Sequence, residues 1–209
     1  NAQVENSETH AAGEVWTAML FQAFSALLDE SQQPGATRTF EETRRYMTDV
    51  VVQGMQLAPQ DPTYTDMRDA LLAAASGFDA ESGRSDALTI ARAFALRGAG
   101  TCAVSPAQYD DVYDAVVEAF DVTGNVEVGS IDLVPDVSCD DDDVLDAGET
   151  GTVTIVVTNR SPLPSAAATA PLTSSPELTF AATTFETGAL GPFETKTLVK
   201  REVVDWAGG

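Results

Sequence analysis

A chain of 209 residues is long enough to bury a sizeable core, and its length most naturally corresponds to two domains. Hydrophobic residues make up 44 % and charged residues 21 %, an ordinary globular composition that argues against a disordered chain. The formal net charge of -22 argues against nucleic-acid partners and anionic membrane surfaces, because a strongly acidic surface repels phosphate groups.

The first part of the chain has helical periodicity. The first predicted helix runs from about Ala11 to Glu30, and apolar residues cover most of its circumference, so we expect it to be nearly central. A second helix is predicted from about Phe40 to Leu57. Pro59 and Asp61-Pro62 then force a break, since proline cannot continue a helix. The apolar stretches are too short and too interrupted to predict a membrane span.

Three further helices are predicted before residue 124. The third runs from about Thr63 to Ser76, with Asp61 or Thr63 as N-cap and Gly77 as its stop. The fourth runs from about Ser85 to Leu96, with Ser85 expected as its cap and Gly98 and Gly100 ending it. The fifth has a proline at its first helical position and runs from Ser105-Pro106 to about Phe120.

After Gly124 the periodicity is that of strands. The β-branched run 152–158 predicts a strand, and shorter strands are predicted at 178–181, 183–186 and 196–204. Short strands separated by Pro, Ser and Gly indicate an immunoglobulin-like β-sandwich. The predicted class is therefore α+β: an all-α helical bundle over 1–123, followed by a separate small antiparallel β-sandwich over 124–209.

The β part contains the acidic run Asp140 to Glu149. Calcium takes six to eight oxygen ligands, and the calcium candidates in this run are Asp140, Asp142, Asp146 and Glu149. The EF-hand template does not fit, because Val144 falls on a ligand position and Leu145 on the required glycine. A solvated turn is the alternative. Cys102 and Cys139 can form a disulfide or remain two free thiols, and two cysteines do not decide between these states.

Several runs in the helical part resemble one family. The run His10-Ala11-Ala12-Gly13-Glu14-Val15-Trp16 follows the pattern His-x-x-Gly-Glu-Val-Trp of fungalysin-type zinc metallopeptidases, which are relatives of the thermolysin group. The runs 51–59, 61–71 and 93–100 also resemble that family in order and spacing. The resemblance covers about residues 5 to 102 and corresponds to the family's C-terminal, thermolysin-like lobe.

The resemblance implies peptide-bond hydrolysis with zinc, a polypeptide substrate and a secreted protein. The family holds its zinc with an HExxH helix and a glutamate, both upstream of the region seen here, and this sequence has no HExxH. The implied partner is therefore an upstream HExxH-bearing lobe. His10 matches the histidine that faces the metal and stabilises negative charge on the substrate oxygen. Glu5 or Glu8 would fix its tautomer.

Other residues of the motifs have structural interpretations. Glu14 suits the first turn of a helix, where the dipole favours an acid, or else the cleft. We expect Trp16 to pack in the core, and Arg68, Asp69 and Arg97 to have structural roles.

The main alternative to a peptidase fragment is a non-catalytic secreted adhesion or binding protein with a calcium-stabilised β module. A degenerate homologue that has lost the metal lobe is a third possibility.

Overall fold

The structure is a computed structural model and describes residues 9–110, 115–137, 149–173, 178–180, 183–202 and 205–206. Four helices among these residues are followed by small antiparallel sheets, so the predicted α+β class is confirmed. The chain forms two compact units that divide between Thr123 and Gly124, with Ser161–Leu163 assigned to the first unit.

The first two helices agree with the sequence prediction. Helix α1 spans Thr9–Ser31 and helix α2 spans Phe40–Leu57. A capping box begins α2: the Glu42 backbone N–H donates to the Thr39 hydroxyl, and the Thr39 N–H donates to the Glu42 carboxylate at 2.8 Å. This backbone hydrogen bond lowers the pKa of Glu42.

Helix α3 spans Tyr64–Ser82, so the prediction that it stops at Gly77 is wrong. Thr63 is the N-cap, as predicted, and forms a capping box with Asp66. The helix passes through Gly77 because the next turn has tertiary partners: the Phe78 ring meets the Tyr46 ring edge-on, with centroids 5.6 Å apart. It ends at Gly83, whose left-handed φ of 69° suits glycine.

Helix α4 spans Asp86–Ala95, and Ser85 occupies its N-cap position, as predicted. The Ser85 side chain makes no capping hydrogen bond. The Asp79 carboxylate of α3 takes that place, accepting from the backbone N–H groups of Asp86 at 2.9 Å and Ala87 at 2.8 Å. One carboxylate therefore ties the end of α3 to the start of α4.

The helices share a core, and each contributes buried residues to it. Its largest fully buried apolar side chains are Leu27, Val50, Leu71, Ile90 and Phe94. The expectation that α1 is nearly central is wrong, because only one side of the helix packs in this unit, and Phe21 is 65 % exposed.

The length and apolar composition of α1 also bear on the predicted absence of a membrane span. Among the described residues, the segment His10–Ser31 is long and apolar enough to cross a bilayer by length and composition alone. Core helices of other proteins meet the same criterion, and Ala23 and Leu27 of this helix are buried in the helical unit.

The predicted fifth helix is wrong. Residues 115–123, which belong to its predicted second half and the segment after it, are extended and contact the segment 98–104. Gly100 N–H donates to Ala119 O at 2.7 Å, and Val104 and Val117 exchange backbone hydrogen bonds. The β-branched pair Val116-Val117 fits this pairing better than a helix.

The second unit contains seven strands among its described residues. Their bounds are β1 Val126–Val137, β2 Thr150–Asn159, β3 Ser165–Pro171, β4 Leu178–Thr179, β5 Thr184–Leu190, β6 Thr195–Glu202 and β7 Asp205–Trp206. They form antiparallel sheets with the orders β1-β2-β6, β3-β5 and β4-β7. Alternate residues of β2 are buried, and Val153, Ile155 and Val157 pack with Leu172, Phe185 and Leu190. The immunoglobulin-like topology stays a prediction.

Strand β1 lies at an edge of its sheet. Within the described residues it pairs with β2 alone, and four of its apolar residues are exposed: Val128, Ile131, Leu133 and Val134. Charged residues and a proline alternate with them, including Asp132, Pro135 and Asp136.

Candidate functional site

His10 lies on the first turn of α1, and its side chain is exposed. The prediction placed it at the start of a helix, and the structure has it there. Glu5 and Glu8, the two predicted orienting residues, lie outside the described residues. Its predicted catalytic role stays a prediction.

The N-terminal end of α1 is held against α3 by two aromatic residues. The Tyr64 hydroxyl donates to Ala12 O at 2.8 Å. The Trp16 ring is parallel to the Tyr64 ring, with centroids 6.1 Å apart, and lies tilted 5.7 Å from Phe94. Trp16 is only half-buried, because its remaining surface faces a groove. These contacts fix the backbone next to His10.

A groove of about 600 Å³ opens at this end of the helical unit. Its wall includes Ala12 and Gly13 of α1, two and three residues after His10, while His10 itself does not line it. The apolar part of the wall is formed by Trp16, Leu20, Val51, Met55, Met67 and Leu71. The volume and lining fall in the range of small-molecule and side-chain pockets in proteins.

The rim of the groove is built from two loops joined by hydrogen bonds. The Tyr109 hydroxyl donates to the Asp61 carboxylate at 2.7 Å, and this bond raises the pKa of Tyr109. The Gln108 amide donates to the backbone oxygens of Gln60 and Asp61. Asp61 and Tyr109 have left-handed φ values of 50° and 63°, uncommon for non-glycine residues.

Sequence reasoning missed this rim because it placed residues 105–120 in a helix. The prolines at 59 and 62, which flank Asp61, were interpreted only as helix breakers. The signal available was the Asp-Pro turn itself, since aspartate tolerates the left-handed region.

The other predicted site residues are placed as follows. Glu14 is exposed and lines a second hollow with Arg97 and Phe21. Arg68 is buried and structural: Nε pairs with Asp69 at 2.7 Å, and Nη1 donates to Gly100 O at 2.6 Å. It therefore joins α3 to the loop after α4.

The described part of the chain contains no cluster of three or more His, Cys, Asp or Glu side chains that could hold a metal ion. Asp140, Asp142 and Asp146 lie outside that part, whereas Glu149 lies within it and is buried. The calcium site stays a prediction. Cys102 is exposed and has no disulfide partner within the described part, and Cys139 lies outside it.

Comparisons with known proteins agree with the sequence motifs. Residues 1–103 match the profile of the fungalysin metallopeptidase family (M36). The chain is 34 % identical over 100 residues to "Extracellular metalloproteinase 5" of Arthroderma benhamiae, covering 45 % of this chain and 15 % of that protein. It is 32 % identical over 108 residues to "Extracellular metalloproteinase MEP" of Leptosphaeria maculans, covering 48 % and 16 %. The chain thus matches about a sixth of the length of these relatives.

Proposed function

We propose that residues 1–103, which match the fungalysin family, form the downstream part of a secreted zinc metalloendopeptidase. In this proposal His10 and the groove beside it face the scissile peptide, and a second lobe brings the metal. The observation that carries the proposal is the family match over the run His10 to Trp16, in which the histidine is exposed at a helix start next to an open groove.

The chemical role of His10 is to donate a hydrogen bond. When water attacks a peptide carbonyl, negative charge develops on the carbonyl oxygen, and a donor about 3 Å away stabilises it. Removing such a donor typically costs a hundredfold or more in rate, roughly 3 kcal/mol. The exposure of His10 supports this role, since a buried ring could not reach a substrate. Glu5 or Glu8 would hold the imidazole in the required tautomer.

The residues of this chain do not fit a zinc site of their own. Its one histidine and the absence of an HExxH run leave too few ligands of the kind that zinc enzymes use. In the proposal, the zinc ligands and the general base belong to an HExxH-bearing lobe upstream of residue 1. The 209-residue chain on its own would therefore not hydrolyse peptides.

The proposal is tested on the complete protein. The coding sequence upstream of Asn1 should encode an HExxH helix followed by a further glutamate ligand. In that protein we expect His10→Ala to lower kcat about a hundredfold with an unchanged zinc content, measured by peptide hydrolysis and metal analysis. His10→Gln, which keeps a donor, should lose less activity.

Asp49→Asn is the matched control, because Asp49 is an exposed residue of α2 that does not line the groove. Loss of zinc in His10→Ala would make His10 a ligand and contradict the proposed role. An unchanged kcat would remove the role altogether. An upstream sequence without HExxH would favour the non-catalytic binding protein.

A further inference from the structure

The groove combines an apolar floor with an acidic rim. Trp16, Met55 and Met67 contribute to the floor, and Asp61 and Asp110 lie at the rim. We propose that this groove binds a bulky apolar side chain carried by a basic segment of polypeptide. This inference rests on the proposed function only in taking the bound polypeptide to be the substrate.

The floor determines the apolar part of the specificity. Met55 is 59 % exposed although it is a large apolar residue, and Trp16 presents the part of its ring that Tyr64 and Phe94 do not cover. Removing this surface from water is favourable in proportion to the apolar area covered. Methionine side chains adapt to different shapes, so the floor would accept several large residues, with aromatic ones stacking on Trp16.

The rim determines the charge of the partner. None of the described residues that line the groove is Lys, Arg or His, whereas two are aspartates. The Asp61 carboxylate accepts a hydrogen bond from the Tyr109 hydroxyl. A second copy of this chain is a poor occupant, because each copy carries a net charge of -22 and the two would repel one another. A basic segment is attracted.

The rim is also organised before a ligand arrives. Gln108 bridges to the backbone of Gln60 and Asp61, and Tyr109 bridges to the Asp61 side chain. A groove whose walls are already fixed loses less conformational entropy on binding than a flexible one. The uncommon backbone conformations of Asp61 and Tyr109 belong to this arrangement.

Peptide titration of the 209-residue chain tests the proposal. Trp16 and Trp206 are the only tryptophans, so Trp206→Phe leaves Trp16 as the single fluorophore, and calorimetry on the unaltered chain checks the affinities. Three short blocked peptides serve as probes: one with Phe between arginines, one with Ala replacing Phe, and one with Glu replacing Arg. We expect the first peptide to bind at least about tenfold more tightly than the other two, and its affinity to fall as salt is added.

Variants of the rim give the second measurement. The double variant Asp61→Asn with Asp110→Asn should weaken binding of the arginine-flanked peptide by up to about thirtyfold, since each of the two exposed ion pairs is worth at most about 1 kcal/mol. Asparagine tolerates the left-handed conformation of residue 61, so the rim should keep its shape. A peptide with Phe between serines should bind both forms equally, and Asp49→Asn should change neither affinity.

Three outcomes would overturn the proposal. If the Phe and Ala peptides bound equally tightly, the groove would attract cations without recognising the apolar side chain. If the Glu-flanked peptide bound as tightly as the Arg-flanked one, the acidic rim would have no role. Self-association that quenches Trp16, seen by sedimentation, would give the groove to a second copy. The titration needs neither zinc nor turnover, so its failure is distinguishable from a failure of His10→Ala to lower kcat.

Discussion

At the scale of single residues, Asp79 caps the start of α4, a role that the local sequence would give to Ser85. Its carboxylate accepts from two backbone N–H groups at the start of α4, while the Ser85 side chain makes no capping hydrogen bond. We expect Asp79→Ala to lower the free energy of unfolding by about 1–2 kcal/mol, because two helix-end donors lose their partner. Urea denaturation of the helical unit measures this difference.

Ser85→Ala is the matched control for Asp79→Ala and should change the free energy of unfolding by less than about 0.5 kcal/mol. If the serine variant were the more destabilised of the two, the cap would be local after all. The residue pattern Ser-Asp before an apolar run predicts a cap at Ser85, and only the tertiary contact with α3 decides otherwise.

Individual site residues differ in how far the sequence could predict them. The position of His10 at the beginning of a helix follows from the apolar periodicity that starts at residue 11. The rim of the groove could not be predicted, because Tyr109 contacts Asp61 across 48 positions of the chain. No local pattern carries information about such a contact.

At the scale of secondary-structure elements, two helical glycines have opposite environments. A methyl group on Gly77 would meet no atom within 4 Å apart from its own helix backbone, whereas one on Gly54 would lie 2.7 Å from Leu71 Cδ2 and 3.3 Å from Leu71 Cα. We expect Gly77→Ala to raise the free energy of unfolding by about 0.5–1 kcal/mol, since alanine restricts the unfolded chain. We expect Gly54→Ala to lower it by about 1 kcal/mol, because overpacking against buried Leu71 exceeds the gain in helix propensity.

Thermal or urea unfolding of the two glycine variants gives a direct comparison, since both substitutions are chemically identical. If Gly54→Ala were as stabilising as Gly77→Ala, α2 and α3 would not approach each other as closely as the structure has them. Gly54 is the position where the predicted α2 most needs a small residue, and the sequence alone does not distinguish it from Gly77.

The predicted fifth helix failed for a related reason. The apolar residues between 105 and 120 recur at helical spacing, yet the described part of this segment pairs through its backbone with 98–104. A Cβ on Gly100 would lie 2.4 Å from Asp121 O and 2.7 Å from Ala119 O. This close backbone approach requires glycine and overrides the local periodicity.

At the scale of the whole molecule, charge is the dominant property. With a net charge of -22, the acidic side chains repel one another in the folded chain, and NaCl screens that repulsion. Raising NaCl from about 0.01 M to 0.1 M shortens the Debye length from roughly 30 Å to 10 Å, so we expect the Tm to rise. Each kcal/mol of repulsion removed should add roughly 2–4 °C, measured by calorimetry.

The same measurement tests calcium binding at Asp140, Asp142, Asp146 and Glu149. A specific site would raise the Tm of the β unit at about 1 mM calcium, beyond the effect of magnesium at equal ionic strength. Identical effects of the two ions would leave only screening and remove the calcium site.

The α+β organisation itself could be predicted, because the periodicity changes from helical to strand-like near Gly124. Within the β unit the long strand β2 was predictable from its β-branched run, and β3 was not. The sequence of β3 is rich in alanine, which has a low preference for strands, so its pairing with β5 depends on tertiary context.

The uncovered apolar side of β1 has a consequence for the behaviour of this protein in concentrated solution. Among the residues that the structure describes, β1 is a long edge strand with exposed valines and leucine, and such a strand is a template onto which strands of other molecules can add, as in fibril growth. Asp132, Pro135 and Asp136 disfavour this addition, since an added strand would bury the two exposed carboxylates and proline has no N–H to donate. The acidic side chains, whose mutual repulsion lowers the stability of the fold, thus also oppose polymerisation of the molecule.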